Sequence, residues 1–130
     1  MSAAGTLRVM LVEDHALFRG ILAVILCHEA DLEVVAQAGS LAEGREALEG
    51  SLDGHLDVAI IDLVLPDGDG RELIGELRRR NPGVSVVLLS ATIEAGHVEE
   101  VRKAGADAVL DKVRSYSTIA EDVRRVGGGG

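Results

Sequence analysis

Five short apolar runs punctuate the chain: Leu7–Val12, Leu32–Ala36, Val58–Ile61, Val84–Leu89 and Ala108–Leu110. Each is rich in Val, Ile or Leu and too short for a helix, so each is predicted to be a strand. The stretches between them carry helical spacing. Such alternation predicts βαβ units, a parallel sheet and right-handed crossovers. The first, third and fourth runs are the most continuously apolar, as strands at the centre of a parallel sheet must be.

The first helix is predicted over Ala16–Cys27. Leu17, Phe18, Ile21, Leu22, Val24 and Ile25 cover most of its circumference, which calls for burial on more than one side. Ser40 and Glu43 form a capping box for a second helix through Ala47 and Leu48, weakened by Gly44. Asp69 or Gly70 opens a third, with Leu73, Ile74 and Leu77 at core spacing and Arg78, Arg79 and Arg80 as a solvated last turn that suits the helix dipole. A fourth, about Glu94–Lys103, is polar, with Val98 and Val101 as its anchors, and a poorly anchored helix is one that can move. The last spans about Thr118–Val126 on a stripe of Ile119, Val123 and Val126. Gly127–Gly130 then reads as a flexible linker or an artificial end from which a following domain has been removed.

Composition narrows the class. A length of 130 residues suits one domain, here 1–126, that buries about two thirds of its unfolded surface. Hydrophobic residues at 47% with 27% charged fit a globular chain. The formal charge of -9 argues against a grip on nucleic-acid phosphates, and Phe18 and Tyr116 alone offer no stacking platform for bases. Apolar segments are too short to span a bilayer, and Met1–Leu7 lacks the features of a secretory signal, so a cytoplasmic location is expected. Cys27, the single cysteine, is expected as a small core residue.

The chemistry sits where the strands end. The run Val58–Ile61 leads directly into Asp62, a costly place for a carboxylate unless it serves chemistry. Val9–Val12 ends in Glu13 and Asp14, and the last two runs end near Ser90 and Lys112. The carboxyl ends of parallel strands line the ligand crevice of an open α/β sheet, so these five residues are expected to converge. Three carboxylates together raise one another's pKa unless a cation neutralises them. Hard oxygen ligands without a Cys or His cluster point to Mg²⁺, which binds readily beside a phosphate oxygen. A carboxylate beside Mg²⁺ can be a nucleophile toward phosphorus, and Asp62 suits that role, preceding the tight turn Leu65, Pro66, Asp67, Gly68. Lys112 would supply a compact charge to the phosphoryl group and Ser90 a hydroxyl.

Four motifs then carry a resemblance: VEDH at Val12–His15, DLVLPDGDG at Asp62–Gly70, LLSA at Leu88–Ala91 and GADAVLDK at Gly105–Lys112. In that order they resemble the receiver domain of bacterial two-component response regulators over nearly the whole chain. VEDHALFR at Val12–Arg19 is similar to the NarL/LuxR-type subfamily, whose members carry a C-terminal helix-turn-helix. The resemblance implies a flavodoxin-like doubly wound sheet of five parallel strands, order 2-1-3-4-5, flanked by five helices. It implies that Asp62 accepts a phosphoryl group from a sensor histidine kinase. Asp14, Asp62 and the backbone carbonyl of Val64 would bind Mg²⁺, with Glu13 acting through a water, while Ser90 and Lys112 hold the phosphoryl oxygens. The resemblance further implies possible homodimers, no nucleic acid bound by this segment, and a signalling switch rather than a turnover enzyme.

One position departs from the pattern. Receivers commonly carry an aromatic residue or histidine three before the lysine, and here that place is Val109. Valine has no ring to swing inward and is stiff at χ1, so switching is expected through Ser90, the Ser90–Ala95 loop and the fourth helix. Tyr116, four past the lysine, is expected to make an ordinary contact beside the last helix. His15 adjoins the acids and could influence access, whereas His28, His55 and His97 are expected at the surface. Control of transcription through a C-terminal DNA-binding domain absent from this chain is the leading function. The alternatives are a stand-alone phosphorelay adaptor, an interaction module that is never phosphorylated, and a small Mg²⁺-dependent phosphohydrolase. The last lacks both a DxD arrangement, since Leu63 and Val64 follow Asp62, and room for a cap domain.

Overall fold

Successive side chains of a strand leave opposite faces, so a strand apolar at every position needs cover on both sides. Val9, Leu11, Val58, Ile60, Val87 and Leu89 enter one buried cluster, and their neighbours Met10, Val12, Ala59, Ile61, Val86 and Leu88 enter another. The sheet is thus buried on both faces. Each large aliphatic side chain so placed contributes about 1.5–3 kcal/mol relative to exposure.

The computed structural model describes residues 6–51, 55–91, 103 and 105–128. Its strands are β1 (Leu7–Val12), β2 (Leu32–Ala38), β3 (Val58–Asp62), β4 (Val64–Leu65), β5 (Gly68–Asp69), β6 (Ser85–Ser90) and β7 (Ala108–Asp111). The five longer strands pair in parallel in the order β2-β1-β3-β6-β7, while β4 and β5 form a separate antiparallel hairpin. Setting that hairpin aside gives the expected order 2-1-3-4-5, with the three most apolar strands at the centre. The predicted fourth helix falls outside the described residues except for Lys103, as do His97 and most of the Ser90–Ala95 loop.

α1 (Ala16–Cys27) buries Phe18, Leu22, Ala23 and Leu26 on one side only. Leu17 and Val24 are 70% and 59% exposed, and Cys27 is exposed as well. The expectation of burial on several sides, and of a core cysteine, is therefore corrected. The helix lies on the sheet through a single stripe, and Cys27 follows Leu26 around the helix onto the open side. α2 (Leu41–Glu46) forms half of the expected capping box, the Glu43 N–H donating to Ser40 Oγ at 3.1 Å while the Glu43 carboxylate accepts instead from the Gly39 N–H at 2.8 Å, and a wider turn, Ala47–Ser51, continues it. Gly44 packs there, since a Cβ would stand 3.0 Å from Leu73 Cδ2.

Asp69 caps a tight turn, Gly70–Leu73, with Glu72 reaching back to the Asp69 N–H, and α3 (Ile74–Arg80) follows. The arginines at its end are not merely solvated. Arg78 donates to the carbonyls of Val84 and Gly105 and pairs with Asp107, because the chain leading into β7 passes over the end of α3. The last helix, Ser115–Gly127, begins three residues earlier than predicted and includes Gly127. A Cβ on Gly127 would meet Val58 Cγ2 at 2.4 Å, so this glycine permits the helix to close on β3.

Gly70 is the tightest backbone position near the strand ends. Its N–H donates to the Leu63 carbonyl at 2.8 Å, and a Cβ would lie 2.1 Å from the Asp62 carbonyl oxygen. Gly70→Ala is expected to destabilise the protein by about 2–4 kcal/mol, since backbone rather than a flexible side chain must yield. Gly75→Ala, inside α3 with nothing within 4 Å of its Cβ, should instead stabilise by about 0.5–1 kcal/mol. Urea unfolding of the two variants checks both signs.

Candidate functional site

Glu13, Lys112 and the residue after Asp62 are each held just past a strand end by a bond that extends the sheet ladder. The Glu13 N–H donates to the Ala38 carbonyl at 2.9 Å, Leu63 N–H to Leu89 at 3.0 Å, and Lys112 N–H to Ser90 at 2.8 Å. These bonds fix the backbone on either side of the crevice. The turn beyond Lys112 is fixed too, by Ser115 Oγ donating to the Lys112 carbonyl and the Val113 N–H donating to Asp111 Oδ1.

Asp62, 5% exposed, accepts from the Val64 N–H at 3.2 Å through Oδ1 and from Lys112 Nζ at 2.9 Å through Oδ2. Lys112 Nζ also lies 2.5 Å from Glu13 Oε1, an ion pair without the alignment of a directed hydrogen bond. Burial works against the Lys112 charge, but the neighbouring carboxylates of Glu13 and Asp62 outweigh that and hold its pKa above the ordinary lysine value. Glu13, 1% exposed, accepts from the His15 N–H at 2.8 Å through its other oxygen. Burial pushes the Glu13 carboxyl up to about 7, with Asp14 and Asp62 adding to the rise while the His15 N–H and Lys112 oppose it.

Asp14 is exposed, and it does not cap α1. His15 does so, its Nδ1 accepting from the Phe18 N–H at 3.3 Å, which leaves the Asp14 carboxylate at the crevice. A cavity of about 330 Å³ is lined by Asp14, Asp62, Val64, Ser90 and Lys112 together with Asp69 and Arg71. The five residues expected to converge do so, with Glu13 set beneath the lining and Val64 along it. Val109, by contrast, packs partly buried against the core on the α2 and α3 side.

The carboxylates of Glu13, Asp14 and Asp62 place oxygens within 4.8 Å of one another. Three acids against the single ammonium of Lys112 leave excess negative charge, and all the donors are hard oxygens. A small divalent cation such as Mg²⁺ fits that set.

Three participants were not evident from sequence. Arg71 lines the cavity and pairs with Asp69 through Nε and Nη2, the shorter contact being 2.6 Å. Its position directly after Gly70 was the one available signal. Asp67 accepts from the N–H groups of Leu41 and Ala42 at 2.8 and 2.9 Å, which tethers the β4–β5 turn to the start of α2 and lowers the Asp67 pKa. No local pattern foretells a bond across 25 residues. Phe18 presents its ring to Lys112 Nζ, 5.0 Å from the centroid, where the apolar periodicity of α1 marked it only as core.

Residues 9–124 match the family model described as the response regulator receiver domain. The chain is 31% identical over 124 residues to the response regulator protein VraR of Staphylococcus aureus, covering 95% of this chain and 58% of that protein. With VraR of Staphylococcus saprophyticus it shares 30% over 119 residues, covering 92% and 56%. The chain thus spans somewhat over half the length of these curated relatives. Among solved structures, the signal receiver domain of NarL from Mycobacterium tuberculosis superposes with a TM-score of 0.82 at 28% identity, covering 96% of this chain and 98% of that one. A DNA-binding response regulator of the LuxR family from Staphylococcus aureus shares the fold, with a TM-score of 0.77 at 21% identity and coverage of 93% and 98%. The chain belongs to the response regulator receiver domain family, and its relatives include VraR and the receiver domain of NarL.

Proposed function

We propose that this receiver domain is a phosphorylation switch in which Asp62 accepts a phosphoryl group from the phosphohistidine of a sensor kinase, with Mg²⁺ bound beside it. The observation that carries this reading is the 2.9 Å contact of Lys112 Nζ with Asp62 Oδ2 at a cavity shared with Asp14 and Ser90. A carboxylate oxygen of Asp62 attacks phosphorus, the bond from phosphorus to the imidazole nitrogen breaks, and the imidazole keeps that electron pair. Lys112 already pairs with the attacking carboxylate, so its charge stands where phosphoryl oxygens would arrive, and Ser90 supplies a hydroxyl to the same space. Asp14, Asp62 and the Val64 carbonyl would hold Mg²⁺, which supplies charge neutralisation to the transferring group. Glu13 would contribute through a water while keeping Lys112 in place.

An acyl phosphate at Asp62 carries a charge of about -2 where the carboxylate carried -1, and the added charge of about -1 acts on the loop after Ser90 and the segment that follows. Output through a DNA-binding domain is the reading favoured by the DNA-binding response regulator of Staphylococcus aureus that shares the fold, and this chain spans little more than half of the VraR proteins it resembles. The domain is read as a switch rather than a turnover enzyme, because Leu63 and Val64 follow Asp62 where a phosphohydrolase of this design would carry a DxD pair. Among the described residues no helix is long and apolar enough to cross a membrane.

Incubation with Mg²⁺ and acetyl phosphate should add one phosphoryl group per chain by intact mass, and EDTA should abolish the addition. Asp62→Asn should remain unlabelled; labelling of that variant would remove Asp62 as the nucleophile. Asp14→Asn should weaken Mg²⁺ binding on the order of tenfold, as neutralising one charged ligand of a hard-cation site does, measured by calorimetric titration.

A further inference from the structure

Lys112 is held from two directions. On one side stand Glu13 and Asp62, and on the other the ring of Phe18, whose centroid lies 5.0 Å from Nζ. The attraction of an ammonium to a phenyl ring depends on its facing the negative side of the ring. The Phe18 ring is buried among the core residues under α1, and on the side of the last helix Tyr116 meets it edge to face, with centroids 5.1 Å apart and planes at 74°. Tyr116 lies in the first turn of the last helix, itself fixed by the Ser115 bond to the Lys112 carbonyl. The two rings border a second cavity, of about 260 Å³, that adjoins the phosphorylation crevice and shares Ala91 and Lys112 with it.

We propose that Tyr116 is a positioning residue for Lys112, acting through the Phe18 ring, so that the charge state of Asp62 and the packing of Tyr116 are coupled. The proposal rests on phosphorylation at Asp62 as set out above. A phosphoryl group there draws the ammonium toward its oxygens and changes the distance from Nζ to the Phe18 ring. The edge contact with Tyr116 changes in turn. Coupling of this kind is reciprocal, so a Tyr116 packed against Phe18 favours the lysine geometry that phosphorylation needs. Val109 belongs to the opposite face of the sheet, with α2 and α3, whereas Phe18 belongs to the face covered by α1 and the last helix.

Tyr116 is the only tyrosine and the chain has no tryptophan, so its emission reports on this contact directly. Saturation with beryllium fluoride and Mg²⁺ should shift the tyrosine fluorescence of the unmodified chain. Tyr116→Ala and Tyr116→Leu should slow labelling by acetyl phosphate about two- to tenfold, the range an aromatic pair covers, with Mg²⁺ affinity unchanged. Tyr116→Phe should restore the rate, because the ring edge and not the hydroxyl makes the contact. Labelling of Tyr116→Leu at the wild-type rate would overturn the proposal while leaving Asp62 as phosphoacceptor, and so would unchanged emission at saturation. Failure of the unmodified chain to label would defeat both.

Discussion

The arrangement at the strand ends depends on one cation meeting two buried acids. Glu13 and Asp62 lie at the ends of neighbouring central strands, and Lys112 reaches both from beyond β7. Even with the ammonium in place, burial, with Asp14 and Asp62 adding to it, lifts the Glu13 pKa to about 7; without the ammonium, two carboxylates would share a site of low exposure with nothing cationic between them. With it, the acids are held close yet still in excess of positive charge. That residual imbalance suits the site to a divalent cation and an incoming phosphoryl group.

The rest of the fold makes this cluster rigid below and open above. Two apolar layers clamp the sheet, so the strand ends cannot shift independently. Gly70 presses the chain after the β4–β5 hairpin onto the Asp62 carbonyl, and Asp67 ties the hairpin to α2. On the α1 side, Phe18 fills the core and also faces Lys112. A packing residue and a site residue are here one side chain.

Much of this was legible in the sequence. The strands, their order through the resemblance, the Ser40 and Asp69 caps and the five strand-end residues follow from apolar runs, cap chemistry and motif. Local patterns misjudged α1, because apolar periodicity shows which residues could be buried but not whether anything covers them. Leu17, Val24 and Cys27 lie on the side that the sheet does not reach. Arg78 was misjudged for the converse reason, since its partners Val84, Gly105 and Asp107 belong to segments that only the fold brings near.

The sequence by itself therefore determined the elements, the placing of acids, hydroxyl and ammonium after strands, and the hard-oxygen chemistry that results. Those properties depend on side-chain type and on spacing within a few residues. Only the tertiary structure decided that Lys112 bridges Glu13 and Asp62, that His15 rather than Asp14 caps α1, and that Phe18 and Tyr116 stand against the lysine. These depend on the direction in which each side chain leaves its backbone, and that direction is fixed by packing between segments up to about a hundred residues apart.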